Sequence, residues 1–287
     1  MTIVEAPNNS LIGWKGLLLF IVPYFIFVGA FQLVGFLVAG VDILEMNGGG
    51  STSQMAISSF FGLVGTFLIV WIFTRAVYKK TFMSLGFSFK GRAVDLVMGL
   101  LIGILVMAFS FFLLLTMNQI NIETTFFDLR EFAWLFLLFV IVAVVEEVLC
   151  RGFILGNLMV SFRKYSALIV SALVFTILHA INPNVSWMGL FNLFLAGILL
   201  GLPYIYTQNL WLPISLHFSW NFFQSLFGFH VSGMEVYSIL QISRSENNLF
   251  NGGEFGFEGS ILCTFLLLSI ILGFYFYYER EAKKTVI

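Results

Sequence analysis

Long apolar segments separated by short polar ones run through the whole chain. Each is long enough to form a helix that crosses a hydrocarbon core of about 30 Å, which takes ~20 residues. The pattern therefore predicts an all-α fold, a polytopic transmembrane helical bundle of about eight spans. The predicted spans lie near residues 17–40, 55–77, 94–117, 132–159, 165–182, 187–206, 211–229 and 259–278.

The composition supports a membrane location. Hydrophobic residues make up 60% of the 287 positions and charged residues 10%, whereas a soluble domain carries about 25% charge. The chain is thus expected to be an integral membrane protein with the lipid bilayer around it. A formal net charge of −1 gives no reason to expect nucleic acid as a partner. The two cysteines, Cys150 and Cys263, lie in apolar runs and form neither a CxxC motif nor a disulfide framework.

Lysine and arginine are distributed unevenly over the loops, which predicts the orientation in the membrane. Most of them fall in segments that would share one side, such as 75–92, 163–164 and 280–284. On the opposite side only Arg130 and Arg244 stand among several acidic residues. With eight spans, both termini are predicted to be cytoplasmic, and the long loop 230–258 is predicted to face outward.

The fourth apolar segment contains two adjacent carboxylates and an arginine. Charges are costly in hydrocarbon and are rarely placed there without a function. Glu147 and Arg151 are four residues apart, so in a helix they lie on one face and can form an ion pair. Glu146 lies about 100° further around the helix and remains available for another partner.

Further polar residues lie in two later spans. His179 ends the run 175–179 in the fifth span, and His217 and Asn221 share one face of the seventh. Cys150 follows Glu146 by four residues and could line the same cavity. Singly, each could be a hydrogen-bonded structural residue or an interhelical contact. Their grouping on three spans, with little other charge in the bilayer, favours a functional site.

Three motifs stand in order on separate spans: EExxxR at 146–151, FxxxH at 175–179 and HxxxN at 217–221. In these motifs the chain resembles the CAAX-protease and bacteriocin-processing (CPBP, or Abi) family of intramembrane proteases. The segment Leu210 to Pro213 also resembles that family, and segments 221–224 and 253–256 resemble a bacterial branch of it. The first three spans carry no recognisable signature.

The resemblance implies an organisation and a location. Together with the predicted spans and loops, it divides the chain into N-terminal transmembrane helices over 1–130, a CAAX-prenyl-protease-like catalytic core over 131–229, and an external loop with the last span over 230–287. It also implies an endopeptidase of metalloprotease type in a bacterial plasma membrane. Its substrate would be a peptide or membrane protein, either lipidated and CAAX-like or carrying a leader peptide.

Peptide hydrolysis needs an activated water and a stabilised oxyanion, and the motif residues can supply both. Glu146 is the candidate general base and His179 can share its water. His217 and Asn221, one helical turn apart, can donate to the oxyanion. Glu147, Arg151 and Phe175 are expected to orient these groups.

The same residues allow a second chemistry. Glu146, His179 and His217 are also three candidate zinc ligands with an open fourth position. The sequence does not separate a divalent-metal mechanism from a metal-free, glutamate-dependent one. The predicted span boundaries also place the two histidines at depths that differ by about 10 Å, which conflicts with a shared site.

Two other functions use the same residues. A bacteriocin-immunity or membrane scaffold protein could retain the motifs without proteolysis. A proton-coupled transporter could use Glu146 and the histidines as a relay. A transporter of the repeat type would show two matching halves with broken spans, and no such halves are evident in the sequence.

Overall fold

The computed structural model describes residues 13–41, 50–244 and 246–284, and in these ranges the chain is mostly helical. Nine α-helices occur there, with a pair of short strands and several π- and 3-10-helical turns. The α-helices are α1 (Trp14–Val38), α2 (Thr52–Ile72), α3 (Ala93–Thr116), α4 (Leu129–Glu147), α5 (Gly156–Ser161), α6 (Lys164–His179), α7 (Trp187–Thr207), α8 (Trp211–Leu226) and α9 (Ile261–Lys284).

All eight predicted spans correspond to helical segments, which confirms the predicted transmembrane helical bundle. Six helical runs among the described residues are long and apolar enough to cross a membrane. One of them is the continuous 33-residue run Leu129–Ser161, in which α4 and α5 are joined by the π-helix Val148–Leu155. The two remaining helices, α6 and α8, have 16 residues each and are shorter than a full span.

Local signals explain several helix starts. Ser51 and Gln54 form a capping box at the start of α2. At the start of α4 the side chain of Asp128 accepts hydrogen bonds from two backbone N–H groups of the first turn. Ser186 caps α7 in the same way through the N–H of Gly189.

The outer faces of the long helices are apolar, as contact with lipid requires. On α3, for example, Leu101, Leu105, Phe109 and Phe112 form one exposed stripe at helical spacing. Their exposure follows from the absence of any hydrophobic penalty in a bilayer, where lipid replaces water around the protein.

Small residues allow α8 to pack closely against α3. A Cβ atom placed on Gly99 or Gly103 would overlap with Ser215 or Ser219 of α8. The Ser219 hydroxyl donates to the carbonyl oxygen of Gly99 at 3.0 Å. Close approach of small residues and interhelical hydrogen bonds are the usual means of helix association in membranes, and here they fix the helix that carries His217.

A small antiparallel sheet, absent from the predicted all-α fold, lies at one end of the bundle. Strand β1 (Asn121–Thr125) pairs with β2 (Leu240–Ser243), with an irregularity between Ile122 and Thr124. The sheet links the segment before α4 to the long loop that follows α8.

The two ends of the described chain lie together at the opposite end of the bundle. The N–H of Trp14 donates to the Ser161 hydroxyl at 3.4 Å, and Lys164 Nζ lies 3.4 Å from the carboxylate of Glu279 near the end of α9. Both ends therefore share one side, and the assignment of that side to the cytoplasm stays a prediction. The division at residues 130 and 229 also stays a prediction.

Candidate active site

Two of the predicted site residues, His179 and His217, lie close to one carboxylate oxygen of a third, Glu146. Glu146 lies near the end of α4, His179 is the last residue of α6, and His217 lies in the second turn of α8. The Oε2 atom of Glu146 is 3.5 Å from His179 Nε2 and 3.9 Å from His217 Nε2. This oxygen is buried and has no hydrogen-bond partner among the described residues. Both separations exceed a direct hydrogen bond.

The expected mismatch in depth between the two histidines is wrong. It assumed that the fifth and seventh segments each cross the full hydrocarbon core. Instead α6 has 16 residues, which rise about 24 Å, and it ends at His179 rather than at residue 182. Because α8 is equally short, the two histidines can meet at one level.

The predicted ion pair between Glu147 and Arg151 is formed and is almost completely buried. Arg151 Nη1 donates to Glu147 Oε1 at 2.7 Å, and the two side chains are 1% and 0% exposed. Arg151 Nη2 also donates to the carbonyl oxygen of Gly197 at 3.2 Å. The guanidinium group is thus held by contacts from α4 and α7.

Glu147 has a second partner that the sequence did not suggest. Its Oε1 atom lies 2.8 Å from His217 Nδ1, so the Nδ1–H group donates to the same carboxylate oxygen as Arg151. This contact fixes the rotation of the imidazole and directs its Nε2 atom toward Glu146. A carboxylate on the far nitrogen is a common way of orienting a functional histidine.

Phe175 orients the other histidine through its backbone. The Nδ1–H group of His179 donates to the Phe175 carbonyl oxygen, one turn earlier, at 2.8 Å. The Phe175 ring lies 4.5 Å from the His179 ring centroid, and Arg151 Cζ lies 4.5 Å from the centre of the same phenyl ring. Phe175 is therefore in contact with both parts of the site, and its orienting role stays a prediction.

The π-helix Val148–Leu155 follows directly after the two carboxylates and carries Arg151. π-Helical turns are rare in proteins overall, and those that do occur often lie at functional sites. Side chains from outside the segment satisfy two of its carbonyl groups: the Ser171 hydroxyl donates to that of Cys150 at 3.0 Å and Asn157 Nδ2 donates to that of Phe153 at 2.7 Å. Such side-chain donors replace the helical hydrogen bonds that an irregular membrane helix loses.

A cavity of about 630 Å³ adjoins these residues. Its polar lining includes Glu146, His179, His217 and Asn221, so the four predicted catalytic residues border one space. Most of the remaining wall is apolar and comes from α1, α2, α4 and α7. Cys150 lines the cavity as expected, and it is a free, buried thiol.

One cavity residue was missed by the sequence analysis as a site residue. Glu258, in the turn before α9, lines the cavity and is buried. Its Oε2 atom accepts hydrogen bonds from the N–H of Ser232 at 2.6 Å and from the Ser232 hydroxyl at 2.9 Å. Burial raises the pKa of Glu258 above its usual value, while Ser232 and the nearby His179 act in the opposite direction. An acidic residue in a Gly- and Phe-rich stretch was the available signal.

The third histidine, His230, is not among the residues that line this cavity. His230 Nδ1 donates to the carbonyl oxygen of Glu254 at 2.9 Å, within the long loop. Gln224 of α8 donates through Nε2 to the His230 carbonyl oxygen at 2.7 Å. These contacts place His230 in the loop that packs on the end of α8.

The predicted zinc ligands do not form a recognisable metal site. Within the ranges that the structure describes, no group of three or more His, Cys, Asp or Glu side chains is arranged to hold a metal ion. Each of the two histidines, His179 and His217, lies near the same oxygen of Glu146. Zinc ligation by these three residues stays a prediction.

Comparison with known families gives one match. Residues 128–223 match a family model described as Rce1-like, Type II CAAX prenyl endopeptidase. The match begins at the N-cap of α4 and ends within α8, so it contains all three motifs. It confirms the predicted family resemblance, while the bacterial branch stays a prediction. Comparison with curated proteins and with solved structures gave no match.

Proposed function

The chain carries an Rce1-like domain over residues 128–223, and on that premise we propose that Glu146 drives hydrolysis of a peptide bond within the membrane. The observation that carries this proposal is the environment of one atom. Glu146 Oε2 is buried, unpartnered among the described residues, and flanked by two imidazole nitrogens at the edge of a large cavity. A carboxylate in this setting can accept a proton from a water molecule.

The base and one histidine share the attacking water. The 3.5 Å between Glu146 Oε2 and His179 Nε2 is longer than a direct hydrogen bond, so both atoms can bind the same water. Nδ1–H of His179 donates to Phe175, which leaves Nε2 of the neutral ring as an acceptor. Glu146 takes one proton from the water molecule while the water oxygen attacks the carbonyl carbon of the substrate.

The opposite side of the carbonyl group is served by α8. His217 and Asn221 are one turn apart and border the same cavity. Asn221 can donate through its amide Nδ2. His217 can donate through Nε2 when both ring nitrogens carry a proton, since Nδ1–H is already bonded to Glu147. Two donors at the developing oxyanion are the usual requirement for acyl transfer.

The proton balance closes through Glu146. The carboxylic acid formed in the first step donates its proton to the amide nitrogen, the C–N bond breaks, and an amine leaves. The second product is a carboxylic acid, and Glu146 is again ionised. Glu147, Arg151 and Phe175 do not contact the reacting atoms in this scheme and act by holding the two histidines.

The cavity wall favours a substrate with an apolar part. Phe25, Phe36, Phe139 and Leu149 are among its lining residues. A lipidated, CAAX-like C-terminus or the apolar portion of a leader peptide or membrane-protein tail would fit such a wall. Metalloprotease chemistry, with Glu146, His179 and His217 as zinc ligands, is the alternative mechanism.

The decisive experiment is cleavage of prenylated and unprenylated peptides by variants of the purified protein. Glu146→Ala should abolish cleavage without unfolding, because it removes a buried carboxylate oxygen that has no hydrogen-bond partner among the described residues. Asn221→Ala should lose roughly 10²–10³ in rate if it supplies one oxyanion donor. Cys150→Ser is the matched control, since this residue lines the same cavity and should retain most activity.

The outcomes separate the candidate functions. Full activity of Glu146→Ala would exclude the proposed base and make Cys150 the next candidate. Absence of cleavage by the parent on every peptide class would favour the non-proteolytic immunity or scaffold role. If the protein holds one equivalent of zinc, and a chelator removes the zinc and the activity together, ligation by Glu146, His179 and His217 is favoured. If the metal-free protein is fully active, the glutamate-activated water is favoured.

A further inference from the structure

A second cavity lies at the end of the bundle that carries most lysine and arginine residues. It encloses about 190 Å³ and shares no lining residue with the active-site cavity. Its wall is built from the π-helical end of α2, the loop that follows, the π-helix after α4, α5 and the end of α7. Unlike the first cavity, it is lined largely by polar atoms, which points to a polar ligand.

Two buried hydroxyl groups in this wall have no partner. Thr74 and Tyr78 are 2% and 6% exposed, and neither hydroxyl oxygen has a hydrogen-bond partner among the described residues. Several helical threonines elsewhere in the chain donate to a carbonyl group of the preceding turn, as Thr176 does to that of Ala172 at 2.9 Å. Buried polar groups are nearly always hydrogen-bonded, so two such groups facing one cavity require an explanation.

The other polar groups of the wall are largely committed within the protein. The Tyr204 hydroxyl donates to the carbonyl oxygen of Leu85 at 3.1 Å, and the Ser84 hydroxyl donates to that of Thr81 at 2.6 Å. Asn157 Nδ2 donates to Phe153. Thr74 and Tyr78 thus remain as the free hydroxyl donors for a ligand.

The charge of the wall is positive. Among the described lining residues, Lys80 is the one with a charged side chain, and no carboxylate lies beside it in the lining. Lys80 follows the two hydroxyl residues closely in sequence, and its N–H group donates to the Thr74 carbonyl oxygen at 2.9 Å. An ammonium group and two hydroxyl donors around a small space suit the oxygens of an anion, and a tetrahedral phosphate offers enough acceptors for all three.

We propose that this cavity binds a phosphate group, supplied either by the headgroup of a phospholipid or by a soluble phosphate compound. Thr74 and Tyr78 donate their hydroxyl hydrogens to phosphate oxygens, and Lys80 contributes the charge. Basic pockets between transmembrane helices bind anionic lipid headgroups in this way. Val160, which lines the cavity, is 53% exposed and offers an apolar contact for an acyl chain at the rim.

Binding here would also support the active site from behind. Gly152 lines the cavity and directly follows Arg151 in the π-helix Val148–Leu155. The proposal does not depend on proteolysis, because its test measures binding alone.

The test uses the full chain purified in a phosphate-free maltoside detergent. One arm measures the thermal midpoint in sodium phosphate against sodium chloride of equal ionic strength. The other measures, by native mass spectrometry, the retention of phosphatidylglycerol against a diglucosyl diacylglycerol, which has no phosphate. We expect the parent to bind at least one phosphate-bearing probe with a stoichiometry of one. Binding of inorganic phosphate but not of the phospholipid identifies a soluble ligand, and binding of the phospholipid but not of inorganic phosphate identifies a lipid headgroup.

Variants then assign the binding to this cavity. The isosteric pair Thr74→Val with Tyr78→Phe, and separately Lys80→Gln, should each weaken binding at least about tenfold, which is the loss of roughly one charged or paired hydrogen bond. Lys79→Gln is the matched control, since Lys79 is exposed and does not line the cavity, and it should bind like the parent. Lys80 is also exposed, so its variant remains informative if the double variant fails to fold. Failure of the parent to bind either probe, or parent-like binding by Lys80→Gln, would overturn the proposal and leave the cavity to water.

Discussion

Removal of Arg151 tests whether the site is held together by the buried ion pair. In Arg151→Ala the carboxylate of Glu147 loses the guanidinium group that lies 2.7 Å away, and both side chains are almost fully buried. Removing one partner of a buried pair costs about 3–5 kcal/mol, mainly because a buried charge is left without compensation. The carbonyl oxygen of Gly197 and the Phe175 ring also lose their contacts with the cation.

The expected loss lies near the lower end of that range. Glu147 keeps the Nδ1–H group of His217 at 2.8 Å as a hydrogen-bond donor, so its carboxylate is not left entirely alone. A free-energy loss of about 3 kcal/mol corresponds to a fall of about 6 °C in the melting temperature for a chain of this size. The assay is thermal unfolding in detergent, followed by intrinsic tryptophan fluorescence.

Two further variants make the result specific. Arg130→Ala removes an exposed arginine at the other end of α4 and should change the stability by no more than about 0.5 kcal/mol. Arg151→Met combined with Glu147→Gln removes both charges and keeps an amide oxygen for His217, so it should recover most of the loss. If Arg151→Ala has the same melting temperature as the Arg130→Ala control, or if the double variant is less stable than Arg151→Ala, the ion-pair reasoning is wrong.

Three other predictions follow from the structure. Gly103→Leu should lower both stability and activity, because a Cβ there would overlap with a serine of α8, whereas Gly273→Leu should be neutral because no atom lies within 4 Å of its added Cβ. Since burial raises the pKa of Glu258 above its usual 4.5, its contribution to stability is present below about pH 4.5 and is lost as the pH rises through the raised pKa. The melting temperature of Glu258→Gln relative to the parent should therefore increase from about pH 5 to about pH 8, and a constant difference would contradict this. Cysteines introduced at Asn247 and Lys283, in a chain without its native cysteines, should react with an impermeant reagent from the outside and from the cytoplasm respectively, and outside labelling at position 283 would overturn the predicted orientation.

The helices could be predicted because they depend on local sequence, and the grouping of the motif residues could be expected because charge is costly in hydrocarbon. Membrane helices need long apolar segments, and that length can be read directly. The i,i+4 spacing of Glu147 and Arg151 places them on one helical face whatever the tertiary structure. The high cost of charge in hydrocarbon then made it reasonable to expect that Glu146, His179 and His217 would meet.

Features that depend on distant contacts could not be predicted. Strands β1 and β2 lie on opposite sides of the predicted catalytic core in the sequence. Strand β1 is exposed throughout and lacks the alternation that marks a strand. Strand β2 does alternate apolar and polar residues, but over only four positions, which is too short a run to identify a strand. Glu258 reaches the cavity only because the loop after α8 folds back through Ser232. The bond between Glu147 and His217 likewise depends on the relative rotation of α4 and α8, which no single segment determines.

Helix α8 shows how one sequence pattern positions both the fold and the site. Ser215 and Ser219 are one turn apart, as are His217 and Asn221, and an offset of two residues turns the helix by about 200°. One face therefore packs against the glycines of α3 while the opposite face borders the cavity. Ser219 lies so close to Gly103 that a side chain at position 103 would overlap with it. The size of residue 103 therefore sets the distance between α8 and α3. A larger side chain there would move α8 toward the cavity and shift the proposed oxyanion donors relative to the base, although it contacts none of them.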